Sequence, residues 1–239
     1  MKILLAPAET KQEGGNFPPL EISNFSIQKD IIEEYEKHIS SSSIEELSSW
    51  FGLKNSTICE KYKRSILDLP TLKAIKRYTG VAFEAIKYET LNTKEQDFID
   101  KNVVIFSNLF GAISADTLIP DYKFKQGAIL PNLNNEKFYK QNLKDILDES
   151  LGDEVLDLRA TYYDKLYKPT APTITFKFLK GGKVVSHWAK HYRGELVRQI
   201  AINNITNFAD LMSFKFDGLK LIEIQEKKNI KTIITQITN

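Results

Sequence analysis

At 239 residues, with 42% hydrophobic and 11% aromatic content, the chain suits one large domain or two small ones with a substantial core. Its 33 Lys and Arg against 31 Asp and Glu leave a net charge of only +2, so no global basic signature marks it. A single cysteine, Cys59, excludes an internal disulfide and any cysteine-rich metal site. No apolar run reaches the roughly 18 residues of a membrane span, and M-K-I-L-L-A-P-A turns polar too quickly for a signal peptide, so no membrane contact and a cytoplasmic location are expected. Charge is spread unevenly. From Arg159 to Arg198 there are nine Lys and Arg against Asp164 and Glu195, a local +7, which leaves −5 for the remainder. That asymmetry points to a polyanionic partner on one face.

In chain order, Lys2 to Leu5 predicts a short buried strand, and the polar stretch from Glu9 to Pro19 a loop. A loop directly after a first buried strand is a common seat of function in α/β folds. Ile31, Ile32, Tyr35 and Ile39 repeat at helical spacing, and Ser43-x-x-Glu46 forms a capping box for a helix ending near Phe51-Gly52. Thr57 to Leu67 predicts another helix, with Cys59 as a small core residue. After the mixed Leu72–Arg77 segment, Phe83 to Ile86 leads to a helix starting near Asn92. Asn102 to Phe106 is β-branched and continuous, the pattern of a buried strand, and runs into the turn Ser107-Asn108-Leu109-Phe110-Gly111. Pro120, Tyr122, Gly127 and Pro131 predict an extended excursion. A helix is expected over Phe138–Ser150, stopping at Gly152, and a strand over Val155–Leu158. Leu179-Lys180-Gly181-Gly182 predicts a hairpin between Thr173–Phe178 and Lys183–Ser186. A short helix follows over Phe208–Phe214, and alternation at Lys220–Ile224 and Ile230–Ile237 closes the chain. With no repeat and no low-complexity linker, residues 1–239 read as a single domain of mixed α/β or α+β class, a mixed sheet surrounded by helices.

The stretch His187 to Gln199 separates cleanly on a helical wheel. Trp188, Ala189, Tyr192, Leu196 and Ile200 gather on the side expected to face the core. His187, Lys190, His191, Gly194 and Arg198 gather on the other, with Arg193 at the border. Glycine inside a helix costs roughly 1 kcal/mol against alanine, so a close approach is expected at Gly194. Flanking cations favour an anion between Lys190 and Arg198 over the packing of another helix. The His187–His191 spacing suits zinc, but no third ligand is evident, so no metal is expected. Nothing in the chain implies a cofactor. Phosphate-loop, dinucleotide, nucleophile-elbow and His-Glu-x-x-His motifs are all missing.

The order of segments resembles the YaaA family of bacterial peroxide-stress proteins. Leu4-Leu5-Ala6-Pro7-Ala8-Glu9-Thr10 is similar to the family's S-P-A-K-T start, with Glu9 in place of the usual lysine. Ser107 to Gly111, followed by Asp116, Pro120, Tyr122 and Gly127, resembles S-G-L-Y-G…R-P-L-D…P-Y…G. Asp157 to Lys165 resembles N-L-A-S-x-E-Y-x-K, with Ala160 and Tyr162 where serine and glutamate stand. His187 to Gly194, through Ala189-Lys190-His191-Tyr192-Arg193-Gly194, resembles the A-K-x-x-R-G helix, with Arg198 at the next arginine. Between Gly80 and Leu91 only Gly80, Glu89 and Thr90 match, and Ala85 replaces a second glycine. The resemblance implies a basic cleft, a helix-hairpin-helix-like turn at Ser107, Asn108 and Gly111, and binding of duplex, branched or bent DNA through backbone and shape rather than sequence. Lys190, Arg193, Gly194 and Arg198 would supply the charge, with Lys165, Lys177 and Lys183 extending the track. The competing reading is a nucleotide- or nucleobase-processing enzyme in which Glu9, Thr10, Asp116 and Tyr163 converge with Lys190 and Arg193 on one pocket. A scaffold without a ligand is the third.

Overall fold

The structure is a computed structural model that describes residues 1–238. The chain opens on β1 (Lys2–Leu5), whose last three residues are buried. It continues through β2 (Phe17–Pro19), α1 (Lys29–Ser41), α2 (Ile44–Phe51), α3 (Ser56–Tyr62) and β3 (Pro70–Lys73). Then come α4 (Ala74–Arg77), α5 (Val81–Ile86), α6 (Thr93–Asn102), β4 (Val103–Ser107), β5 (Gly111–Ser114) and β6 (Leu118–Ile119). The second half carries α7 (Asn135–Asn142), α8 (Lys144–Ser150), β7 (Val155–Asp157), β8 (Thr173–Lys180), β9 (Lys183–Val184), α9 (His187–Ile202), α10 (Phe208–Ser213), β10 (Leu219–Lys227) and β11 (Ile230–Ile237).

The main sheet runs in the order β10-β11-β8-β7-β1-β4-β5, with β9 paired to β8. Strands β11, β8, β7, β1 and β4 run parallel to one another, whereas β10, β9 and β5 pair antiparallel with β11, β8 and β4. A continuous apolar run suits a strand covered on both faces, and β1 at the centre, Ile3-Leu4-Leu5, is almost completely buried. Strands from both ends of the chain share this sheet, so a mixed sheet within one α/β fold is what the segment pattern leads to. A smaller antiparallel sheet, β2-β3-β6, lies apart from it.

Local rules account for many boundaries. Ser43 Oγ accepts from Glu46 N–H at 3.2 Å while the Glu46 carboxylate accepts from Ser43 N–H at 2.8 Å, the expected capping box. Asn92 and Glu95 repeat that device at the start of α6. Gly181 and Gly182 both have positive φ, +57° and +75°, as a two-residue hairpin of this twist requires. Cys59 is fully buried.

Three expectations shift. The helix foreseen over Phe138–Ser150 starts earlier, because Asn134 caps Lys137 N–H at 2.9 Å, and breaks at Leu143 into α7 and α8. The helix foreseen over Thr57–Leu67 stops at Tyr62 because Lys63 leaves helical ψ, and Ser65 starts a separate 3-10 turn by accepting from Leu67 N–H. Inside the Glu9–Pro19 loop, β2 forms despite two prolines because Pro18 still offers its carbonyl, which the Thr71 hydroxyl takes at 2.8 Å.

Candidate functional site

In an open parallel sheet, ligands bind where neighbouring strands send their chains in opposite directions from the carboxyl edge. Here β1 leads toward β4 on one side, and β7, on its other side, leads toward β8. The crevice between them is bounded by the segments after Leu5 and after Asp157. The first is tied down by main-chain pairing: Thr79 N–H donates to Thr10 O at 3.0 Å and Gln12 N–H to Arg77 O at 2.8 Å. Gly80 follows with φ +104°, and a side chain there would meet the Thr10 hydroxyl at 3.2 Å, so glycine fits where the two segments meet.

This pairing swings Lys11 inward. The residue is half-buried, with its ammonium 4.2 Å from the Tyr122 ring centroid and 5.4 Å from that of Tyr78. Among the described residues, the hydrogen-bond partners of its ammonium are the carbonyls of Ala8 and Glu9, at 3.4 and 3.5 Å. Desolvation is the largest effect and lowers the Lys11 pKa to about 8; Glu9 and Asp121 pull it up, while Lys123 and Arg77 push it further down. The Tyr78 and Tyr122 hydroxyls lie 2.7 Å apart, with the Ser107 hydroxyl beside them, and burial raises both above the usual phenol value. Tyr163 is buried close by and is raised in the same way, chiefly by burial with Tyr78 next.

Two supports hold this corner. Arg77 is completely buried and donates to four carbonyls: Ile119 at 3.2 Å, Gly14 at 2.7 Å, Pro70 at 3.1 Å, and Gln12. Arg159, also buried, makes a two-pronged pair with Asp157 at 2.9 and 2.7 Å and lies 4.3 Å from the Phe106 ring centroid. On α9, half-buried Arg193 faces Asp157; burial holds its pKa below the ordinary value while Asp157 opposes. Among the described residues it makes no hydrogen bond or ion pair.

The sequence-derived site residues divide. Glu9, Thr10 and Tyr163 lie on the segments that bound this crevice, whereas Arg193 faces Asp157 and none of the contacts among the described residues joins it to Lys11 or Glu9. Glu9 is exposed and held by Lys123 Nζ at 3.1 Å and Gln126 N–H at 2.8 Å. Asp116 does not join them: β5 runs antiparallel to β4, so the turn holding Asp116 lies beside Val103, at the opposite edge of the sheet. Lys165 is paired with Glu136 at 3.3 Å, and Lys177 lies on the sheet face opposite Phe178.

The turn at Ser107, Asn108 and Gly111 is not a helix-hairpin-helix element. It joins β4 to β5 and is buried, and a side chain at Gly111 would meet the Tyr139 ring at 2.5 Å. Asn108 instead donates to Lys125 O at 2.7 Å, and the Ser107 hydroxyl accepts from Phe110 N–H at 2.9 Å. Tyr162, standing where the family pattern has glutamate, donates to Glu136 at 2.8 Å and accepts from Gly127 N–H at 2.9 Å.

Gly194 and Arg198 also correct the expectation. The close approach at Gly194 is by helix α5, not by an anion. A Cβ there would overlap Ala82 O and lie 2.8 Å from Ala85 Cβ and 2.9 Å from Ala82 C. Val197 and Ala201, three and seven residues on, are buried along the same flank, while Trp188 is 40% exposed. Arg198 closes the contact, donating to Ile86 O at 3.0 Å, Lys87 O at 3.2 Å and the Thr90 hydroxyl at 3.0 Å.

What stays free is the start of α9. Lys183, His187 and Lys190 are exposed, and none of the three makes an ion pair among the described residues. Lys180 lies over the exposed Trp188 ring at 3.8 Å. No acid occupies the first turn of α9, where the helix dipole would favour one.

Fold and site together define an α/β protein with a desolvated lysine at the crest of its sheet and a separate cationic corner. The chain belongs to the peroxide stress protein YaaA family, whose pattern matches residues 1–225. An uncharacterized protein of Campylobacter jejuni is 41% identical over 244 residues, covering 99% of each chain. A UPF0246 protein of Corynebacterium efficiens is 31% identical over 213 residues, 84% of this chain and 85% of its own. One of Fusobacterium nucleatum is 26% identical over 243 residues, 96% and 97% of the two. Among the described residues, no helix is long and apolar enough to cross a membrane, and no cluster of three His, Cys, Asp or Glu is placed to hold a metal.

Proposed function

We propose that this chain serves the peroxide-stress response by binding DNA through backbone and shape. The observation that carries this reading is the cationic corner of exposed Lys183 and Lys190, with His187 between them and half-buried Lys180 lying over exposed Trp188. Cations crowded into a helix start oppose the helix dipole, a cost that a neighbouring polyanion offsets. Lysines act as point charges on phosphates, and an exposed tryptophan face stacks on any base, so the corner selects no sequence. Arg198 and the Ser107–Gly111 turn take no part in this surface, since both are committed to the fold. Lysine acetylation footprinting with and without a mixed-sequence duplex tests it: Lys183 and Lys190 become protected while Lys94 and Lys140 on α6 and α7 do not. Equal labelling of all four with and without DNA contradicts it.

The crevice supports a second reading, chemistry on a nucleotide or nucleobase. Lys11, beside two tyrosine rings at a strand switch point, has its pKa lowered by burial to about 8, close enough to neutral pH for proton exchange.

A further inference from the structure

The last two strands and the turn before them enclose an apolar space that neither reading above uses. A cavity of about 480 Å³ opens between the segment from Leu211 to Phe216 and one face of β8, β11 and β10, a size within the usual range for small-molecule sites. Its floor belongs to the core, since Phe176, Leu211, Phe216 and Ile233 are all buried. Met212 and Leu221 line it too, yet stay 36% and 55% exposed. The β10 backbone is shaped to this face. Leu221 pairs with Thr235 and Ile224 with Ile233, so a bulge at Ile222 turns two apolar side chains three residues apart to the same side. Regular alternation would send Ile224 to the opposite face. The polar groups of the lining are few. The Ser213 and Thr235 hydroxyls donate to Asp210 O at 3.0 Å and to Lys177 O at 3.4 Å. Lys215 and Lys220 are exposed, and among the described residues neither side chain makes a hydrogen bond or ion pair. No carboxylate lines the cavity; Asp217, between the two lysines in sequence, lies outside it.

We propose that this groove binds a free medium-chain fatty acid, with its aliphatic chain against Phe176, Ile233 and Leu221 and its carboxylate beside Lys215 and Lys220. The charge pattern selects the occupant. Unpaired cations on an apolar groove without a carboxylate favour one anionic head joined to a hydrocarbon body, and disfavour a cationic amphiphile. A nucleotide would set a polar base edge against apolar side chains, a burial that costs free energy unless hydrogen bonds replace those to water. The groove shares no residue with the cationic corner of α9 or with the Lys11 crevice, so the inference stands whether or not the chain binds DNA.

The test uses the full-length chain carrying carbon-13 at its methionine methyls, followed by NMR. The sequence holds two methionines, Met212 in the groove and Met1 outside it, so one signal reports the site and the other controls for effects elsewhere. Octanoate, decanoate and dodecanoate, each below its micelle concentration, shift the Met212 signal saturably and leave that of Met1 in place. Each fully buried methylene is worth about fourfold in affinity, so a step of two carbons tightens binding by roughly tenfold while the chain is still entering the groove. The Lys215→Gln, Lys220→Gln double variant weakens decanoate by about threefold to tenfold and leaves decanol unchanged. Leu221→Glu sets a carboxylate at a position already open to solvent, keeps the melting temperature and abolishes decanoate binding. A Met212 signal that no carboxylate moves, or an affinity independent of chain length, overturns the inference. So does decanol or decyltrimethylammonium that binds as tightly as decanoate, the mark of an apolar patch without a head-group site. Two other occupants also overturn it, each without a Met212 response to monomeric decanoate. One is a second copy, seen as a dimer in sedimentation velocity that Leu221→Glu splits. The other is a bilayer, seen as binding to phosphatidylglycerol vesicles that the same variant loses.

Discussion

Replacing Gly194 with alanine tests how α9 is held. Intrinsic propensity favours alanine in a helix by roughly 1 kcal/mol, and on an open helix face that gain would stand. At Gly194 the added methyl meets α5 instead: its carbon would overlap the Ala82 carbonyl oxygen and crowd Ala85 Cβ at 2.8 Å. The obstacles are backbone atoms and a Cβ, so no side-chain rotation relieves them and the two helices must separate. Overpacking of this kind costs about 1–3 kcal/mol, and the Arg198 bonds to Ile86 O and Lys87 O lengthen with the shift. Net destabilisation of up to about 2 kcal/mol is left after the propensity gain, to which the weakened Arg198 bonds add, and it lowers the melting temperature by up to about 8 °C for a chain of this size. Calorimetry or circular dichroism on purified wild-type and Gly194→Ala chains measures it. A melting temperature equal to or above wild type refutes the packing argument.

Four other outcomes are expected. Arg77→Lys leaves several buried carbonyls without donors and lowers stability by about 3 kcal/mol or more, measured by urea unfolding. Lys11 has a folded pKa of about 8 against an ordinary value of 10.5, so the unfolded chain binds the extra proton between those values. Stability therefore rises with pH from about 8 toward 10, by up to ~1.4 kcal/mol per pH unit, before the buried tyrosines reverse the trend; Lys11→Met flattens the rise. Cys59→Ser buries a hydroxyl in an apolar site and lowers stability by about 1 kcal/mol, with no change in peroxide survival of cells carrying it. Arg198→Ala lowers the melting temperature while DNA affinity per folded molecule stays at wild type, because the guanidinium is bound to the end of α5.

The readable parts of the chain were those fixed by local chemistry. The Ile3-Leu4-Leu5 run, the Ser43–Glu46 and Asn92–Glu95 boxes and the Gly181-Gly182 turn each state their structure within a few residues. The rule that function follows the first strand points to Glu9 and Thr10, whereas Tyr163 stands in the family-like Asp157–Lys165 block. What escaped depends on partners distant in sequence. Gly194 looks solvent-facing on its own wheel because α5, more than a hundred residues earlier, supplies the surface it meets; the Val197–Ala201 flank was the available clue. The basic window disperses for the same reason: Arg159 turns to Asp157, Lys165 to Glu136 and Arg198 to α5. Lys11 carried one signal, a lysine two positions past Glu9 where the family pattern has its own, but its burial depends on Tyr78 and Tyr122.

The most direct measurement of the DNA-binding account is the salt dependence of affinity for a fluorescein-labelled duplex, followed by anisotropy. Log affinity should fall linearly with log salt, with a slope of about −0.9 for each phosphate neutralised, equally for unrelated sequences. The Lys183→Ala, Lys190→Ala double variant should make that slope shallower by roughly two, with the melting temperature unchanged. Affinity that is flat in salt, or a slope the double variant leaves intact, contradicts the account.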